Sequence, residues 1–245
     1  MIDTHCHVDL YPDPSAVAKA AIAAGVSTIV VTNLPSAYRR AYPFITGVKQ
    51  LRLALGLHPL VAQHHKAERA SFKELVDQTF YIGEVGLDFS PQGYATRDIQ
   101  LASFQFVLDT LQGKPKFITL HSRRAEAAVL ELLQRAGRSP VVFHWYSGPL
   151  TVMQSALEQG HYFSINPAMT LSPNGQKVIK NLPIDRVLTE SDGPFVSIDN
   201  RPAVPSDVAC VEAYLAQHWQ NNIKEVQRQV LENFRSLLLK VKTEL

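Results

Sequence analysis

The residues able to do chemistry begin with the first nine, MIDTHCHVD, where one residue separates His5 from His7. On an extended strand alternate side chains share a face, so these two imidazoles project together and Cys6 points away. Side by side they make half of a metal site; taken alone, they are equally two polar residues where a strand ends. The same residue types recur later, in Gly56-Leu57-His58-Pro59, Gly83-Glu84-Val85-Gly86-Leu87-Asp88, Leu120-His121-Ser122-Arg123, Phe143-His144-Trp145-Tyr146-Ser147-Gly148 and Thr189-Glu190-Ser191-Asp192-Gly193-Pro194. Imidazole with carboxylate, without thiolate, suits Zn, Mn, Fe or Mg in a catalytic rather than a structural site. Cys6 faces away from the pair and Cys210 falls in a helical stretch, so neither fits as a ligand.

The elements that would position these residues alternate. Strands are expected at Met1–His7, Val26–Asn33, Leu51–His58, Phe80–Glu84, Lys116–His121, Val141–Tyr146, His161–Asn166 and Arg186–Asp192. Several are Val- and Ile-rich throughout, which suggests strands covered on both faces, as in a parallel sheet. Helical spacing appears at Pro14–Ala24, Glu68–Thr79, Thr96–Leu111, Arg124–Ala136, Pro149–Gln159, Asn174–Asn181, Pro205–Trp219 and Ile223–Val241, with Gly25, Gly137 and Gly160 as stops. Eight strands alternating with helices are the count of a (β/α)8 TIM-type barrel. A doubly wound open sheet is the runner-up, but no glycine-rich turn follows the first strand. The length of 245 residues fits one large barrel, and no linker or repeat divides it, so 1–245 is expected to be a single domain. Residues 193–206, with prolines at 194, 202 and 205, read as a long loop over one end.

Composition narrows the class. Two cysteines make no disulfide framework, which favours a reducing compartment. No secretory leader pattern and no apolar run of about 18 residues is present, so the expectation is a cytoplasmic protein that does not span a membrane. The net charge of +2 permits a phosphate-bearing substrate without arguing for one. No run of Lys or Arg marks a basic groove.

In a barrel the C-terminal strand ends converge on one face, where active sites are built. Five of the nine histidines fall at such ends, with Glu84 and Asp192 beside them. The resulting assignment gives His5, His7 and Asp192 to one divalent ion, His121 and His144 to a second, and Glu84 to the bridge. Two ions can clamp both the attacking and the leaving oxygen of a phosphate displacement. Two divalent ions, two carboxylates and a hydroxide sum to about +1, which attracts an anionic diester. Glu84, Asp192 and His58 are the candidate catalytic groups, with Asp192 helping to deprotonate water. His58, Arg123 and Arg201 are candidate substrate contacts, since Arg can hold phosphate oxygens bidentately; for the two arginines rim salt bridging is the plain alternative. Glu190 is expected to orient a ligand from behind.

Asp3-Thr4-His5-Cys6-His7, the four later His and Glu motifs, Glu190-Ser191-Asp192-Gly193-Pro194 and the late Asn233-Phe234 resemble the TatD family of metal-dependent deoxyribonucleases, in order and spacing along nearly the whole chain. The resemblance implies an amidohydrolase-type TIM barrel, two divalent ions (Zn, Mg or Mn) and hydrolysis of DNA phosphodiesters, with ligands at His5, His7, Glu84, His121, His144 and Asp192. Three positions depart from the family pattern. Leu60 stands where a second histidine is common, HWYSG replaces HCFSG, and Ser197–Pro202 replaces an RGxxNxP stretch. The HWYSG form and Phe163–Met169 resemble the TatD-type member of the Qat anti-phage systems, which implies antiviral defence and partner subunits. The competing class is a small-molecule metallohydrolase acting on an amide, lactone or phosphotriester. Such barrels commonly bridge their ions with a carboxylated Lys at the fourth strand end, where this chain has Glu84 and its nearest preceding lysine, Lys73, lies in a helical stretch.

Overall fold

The computed structural model describes residues 1–243. Eight parallel strands lie in chain order: β1 (Ile2–Cys6), β2 (Ser27–Val30), β3 (Leu51–Leu57), β4 (Tyr81–Gly86), β5 (Phe117–His121), β6 (Val142–His144), β7 (Tyr162–Ile165) and β8 (Val187–Thr189). A continuous ladder joins β1 to β8, and individual hydrogen bonds close the seam between those two. Thr4 Oγ1 donates to Thr189 O at 3.0 Å, Thr189 Oγ1 to Ile2 O at 2.5 Å, and Asp192 N to His5 O at 2.9 Å. The sheet is the expected (β/α)8 barrel.

The helices are α1 (Pro14–Ala23), α2 (Pro35–Ile45), α3 (His65–Leu75), α4 (Arg97–Thr110), α5 (Glu126–Arg135), α6 (Leu150–Glu158), α7 (Pro167–Leu171), α8 (Pro173–Lys180), α9 (Val208–His218) and α10 (Ile223–Thr243). Two were not expected from sequence. In α2, Pro43 interrupts the helical reading, yet Ala37, Tyr38, Ala41 and Ile45 recur at helical spacing and are buried. The five residues of α7 are too few to show a period. Three strands end two or three residues earlier than expected, β2 at Val30, β6 at His144 and β8 at Thr189, so Glu190 and Asp192 stand beyond the strand rather than on it. Within 193–206 the chain makes a short hairpin of β9 (Ser197–Ile198) and β10 (Arg201–Pro202). Among the described residues no helix is long and apolar enough to cross a membrane.

Period-two alternation sorts the barrel lining into layers. Phe117 and His121 lie two strand positions either side of Thr119, all on the inward face of β5. Ile118 and Leu120 face outward into the helix-packing core. Phe117 joins Ile29, Val31, Ala54, Val142, Tyr162 and Leu188 in an apolar plug at the N-terminal end of the barrel, closed by Leu237 and Val241 of α10. Above the plug come the hydroxyls of Thr119 and Ser164, and above those the histidines and carboxylates. The floor is thus largely apolar and packed, and the histidines and carboxylates gather at the C-terminal mouth.

Candidate metal centre

The mouth holds seven sequence-assigned groups together: His5, His7, His58, Glu84, His121, His144 and Asp192, all buried or nearly so. Glu84 is at the middle. Its Oε2 lies 3.0 Å from His7 Nε2, 3.2 Å from His58 Nε2 and 3.4 Å from His5 Nε2. Its Oε1 lies 2.6 Å from His121 Nδ1 and 2.8 Å from His144 Nε2. Metal–ligand bonds of about 2.0–2.2 Å put neighbouring ligand atoms of one ion roughly 3–3.4 Å apart; the three Oε2 contacts have that spacing, while those of Oε1 are at hydrogen-bond length. Three groups are compact enough to hold an ion: His5, His7 and Glu84; His5, His144 and Asp192; and His58, Glu84 and His121. Glu84 belongs to two of them, as a bridge would. His144 groups with Asp192 as well as facing Glu84, which cuts across the division into ligand sets drawn from sequence.

Groups behind several of these side chains orient them toward the site. Asp88 Oδ2 lies 2.8 Å from His121 Nε2, which leaves Nδ1 as the nitrogen turned to Glu84. Thr119 Oγ1 stands 2.9 Å from His5 Nδ1 and leaves Nε2 for the site. Glu190 Oε1 lies 3.5 Å from His144 Nδ1, and its carboxylate also accepts from Trp145 N at 3.0 Å and Asn166 Nδ2 at 3.1 Å, with Ser164 Oγ on its other oxygen. Asp3 accepts from His5 N at 3.1 Å, Ser191 N at 3.0 Å and Ser191 Oγ at 2.6 Å, tying β1 to the turn that carries Asp192. Asp88, Thr119 and Asp3 were not assigned roles from sequence. Asp88 stands in the quoted Gly83–Asp88 motif; nothing in the sequence marks Thr119.

His58 differs from the other imidazoles. Its Nδ1 accepts the Leu60 N–H at 3.0 Å, so the neutral ring carries its proton on Nε2 and donates it toward Glu84. Burial, the largest influence, holds its pKa below the ordinary value despite Glu84, so the neutral form prevails. That makes His58 a donor into the site rather than a lone-pair ligand.

The donor set fits divalent cations. Imidazole nitrogens face carboxylate oxygens at contact distance, which calls for a proton or a metal cation in each contact. His5 Nε2 and Asp192 Oδ1 are buried with no hydrogen-bond partner among the described residues. Burial pushes the Glu84 carboxyl up, but His58, His144 and His121 outweigh it and hold it well below the usual carboxylate range. Asp192 goes the other way: burial raises it well above that range, and Glu190 and Glu84 add to the rise against the opposing effect of His144. A cation beside Asp192 would reverse that penalty.

The arginines separate. Arg123, two residues past His121, is exposed and reaches Gln92 Oε1 at 3.3 Å. Arg201 is held by Asp207 through two contacts of 2.7 Å, the bidentate pairing that a phosphate would otherwise take. The rim-salt-bridge alternative therefore describes Arg201, which fastens the hairpin to the start of α9.

Residues 2–239 match the family model described as TatD related DNase. The chain belongs to the TatD family. It is 26% identical over 263 aligned positions to the Homo sapiens protein named deoxyribonuclease TATDN3, covering 99% of this chain and 96% of that one. It is 28% identical over 254 positions to the Escherichia coli K12 protein named uncharacterized metal-dependent hydrolase YjjV, covering 96% of each. The crystal structure of YjjV superposes with a TM-score of 0.86 at 25% identity, over 97% of both chains. A TatD-family hydrolase from Entamoeba histolytica, 18% identical, shares the fold with a TM-score of 0.82. This TatD-family chain is accordingly a hydrolase of the metal-dependent type, and the six ligand positions implied by the family resemblance are those gathered at the barrel mouth.

Proposed function

We propose that this TatD-family protein hydrolyses DNA phosphodiester bonds with two divalent ions, Zn, Mg or Mn. The observation that carries the reading is the placement of Glu84, whose two carboxylate oxygens face different imidazole sets. His5, His7 and Asp192 would hold one ion and His121 and His144 the other, with Glu84 between. Bound there, the ions would supply an acidified water and a charge clamp on the phosphate. The chain's own groups do the rest. Asp192 Oδ1, buried and unpartnered, is placed to take the proton of an attacking water. His58 Nε2–H is aimed to donate to a phosphate oxygen, and Glu190 holds the His144 ring. Exposed Arg123 offers the guanidinium for a second phosphate contact. Two aromatic side chains support a nucleic-acid substrate: Phe195, 57% exposed and packed edge-on against His7 at 5.0 Å, and Trp145, 36% exposed immediately after His144. Exposed aromatics beside a phosphate site suit stacking of unpaired bases.

A substrate panel tests the reading. Labelled single- and double-stranded DNA and RNA are compared with a phosphomonoester and a lactone under Mg, Mn and Zn. Turnover of DNA supports it; turnover of the lactone alone would give the site to small-molecule hydrolysis. The finer role, an anti-phage nuclease acting in the cytoplasm with other subunits, rests on His144–Gly148 and Phe163–Met169. An Asp192→Asn substitution in the intact defence locus should then abolish protection in a phage plating assay; undiminished protection would remove that role.

A further inference from the structure

Beside the metal centre, on the same barrel face, lies a groove of about 570 Å³ whose lining includes Arg123, Arg124, Glu126, Ser147, Asn174 and Lys177. It brings together three cations from two distant stretches of chain that no sequence run announces. Arg123 and Arg124 follow His121 at the end of β5; Lys177 lies on α8; Ser147 follows His144 at the end of β6. Among the described residues no salt bridge engages any of the three cations, and all three are exposed. The carboxylate lining the groove is turned inward. Glu126 is 7% exposed, accepts Arg124 N at 3.2 Å, and lies under Gly148, where an added Cβ would come within 2.6 Å of its carboxyl carbon. Burial raises its pKa, which further weakens it as a counter-charge. Asn174 Nδ2 donates to Ser147 O at 3.0 Å and ties α8 to the β6 loop, so the two cationic walls are joined.

We infer that this groove is a phosphate subsite, in which Arg124 and Lys177 hold the backbone of a nucleic-acid strand next to the bond being cut at the metal centre. The distance suits that role. Two or three residues of chain span at most roughly 7–10 Å, so the groove starts within about that reach of His121 and His144. Cations lining a groove grip a strand by displacing its counterions, without reading sequence. The inference rests on the phosphodiesterase reading, and it assigns the preference for a polymer over a small diester to residues outside the ligand set.

The test uses an Arg124→Asn/Lys177→Gln double variant, with Lys177→Arg as the charge-preserving control. Asn suits position 124 because the backbone there has φ 57°, a conformation Asn tolerates. Turnover of a short single-stranded oligonucleotide is compared with that of bis(4-nitrophenyl) phosphate across a range of salt. The expected result is a fall of roughly ten-fold in the ratio of kcat/KM between the two substrates. The salt slope for the oligonucleotide should become shallower by about 1.4 in log–log terms, with metal content retained and Lys177→Arg close to wild type. An unchanged ratio and slope would overturn the subsite, as would an equal loss on both substrates. Wild-type turnover of the small diester alone would overturn it while leaving the metal-hydrolase reading intact. Turnover of neither substrate would overturn both.

Discussion

At the scale of single residues, His5 and His121 are oriented by hydrogen-bonding groups behind the nitrogens that face the site. Asp88 is the clearest case, since its contact with His121 Nε2 at 2.8 Å leaves Nδ1 to face the site. An Asp88→Asn variant should therefore bind metal about 10–100-fold more weakly while keeping its fold, as measured by metal titration with circular dichroism as the control. His58 makes the opposite prediction. Because its Nε2 bears the proton, a His58→Ala variant should keep its metal content and lose roughly 10²-fold in kcat; loss of an ion would show that it is a ligand after all. That His5, His7, Glu84, His121, His144 and Asp192 gather at one place was readable in the sequence because strand-end histidines and carboxylates recur in register. Asp3, Asp88 and Thr119 were not given roles, because an orienting group is defined by what it touches in three dimensions. Arg201 shows the same limit from the other side: its sequence left phosphate contact and rim salt bridging both open, and only the structure shows Asp207 filling its fork.

At the scale of elements, β4 and β5 carry Glu84 and His121 and approach each other closely. Gly86, with φ 135°, would place a Cβ 2.0 Å from His121 O. A Gly86→Ala variant should lose about 2–4 kcal/mol of stability through backbone strain and overpacking, and should also displace His121, read as a lowered Tm with weakened metal binding. At the other end of the barrel Leu237 of α10 is 1% exposed in the apolar plug. Leu237→Ala should cost about 2–5 kcal/mol in denaturant unfolding and leave metal affinity unchanged, since the plug and the mouth are separate layers. All eight strands could be placed from sequence because each is a short, mostly apolar run between helical stretches or turn residues, several of them Val- and Ile-rich. The helices α2 and α7 could not, one carrying an internal proline and the other too short to show a period. Nor did any local pattern reveal that Arg123, Arg124 and Lys177 share a groove, since the barrel brings them together across more than fifty residues of chain.

At the scale of the whole molecule, acid should destabilise the fold partly through histidines away from the metal centre. His161 is fully buried, and burial lowers its pKa to about 4 from 6.5. The folded state then binds fewer protons than the unfolded chain between those values, so stability is full above about pH 6.5 and is lost as pH falls toward 4. The contribution is roughly 3 kcal/mol at full extent, and a His161→Gln variant should show a visibly flatter loss of stability over that window. Taken as one unit, residues 1–245 should unfold in a single transition; two resolved transitions would divide the chain. The central claim concerns the ions at the mouth and the bond they help to break. It is tested most directly by cleavage of labelled DNA before chelation, after chelation and after divalent metal is restored. The account predicts cleavage that EDTA abolishes and added metal recovers; cleavage that persists undiminished in EDTA would contradict it.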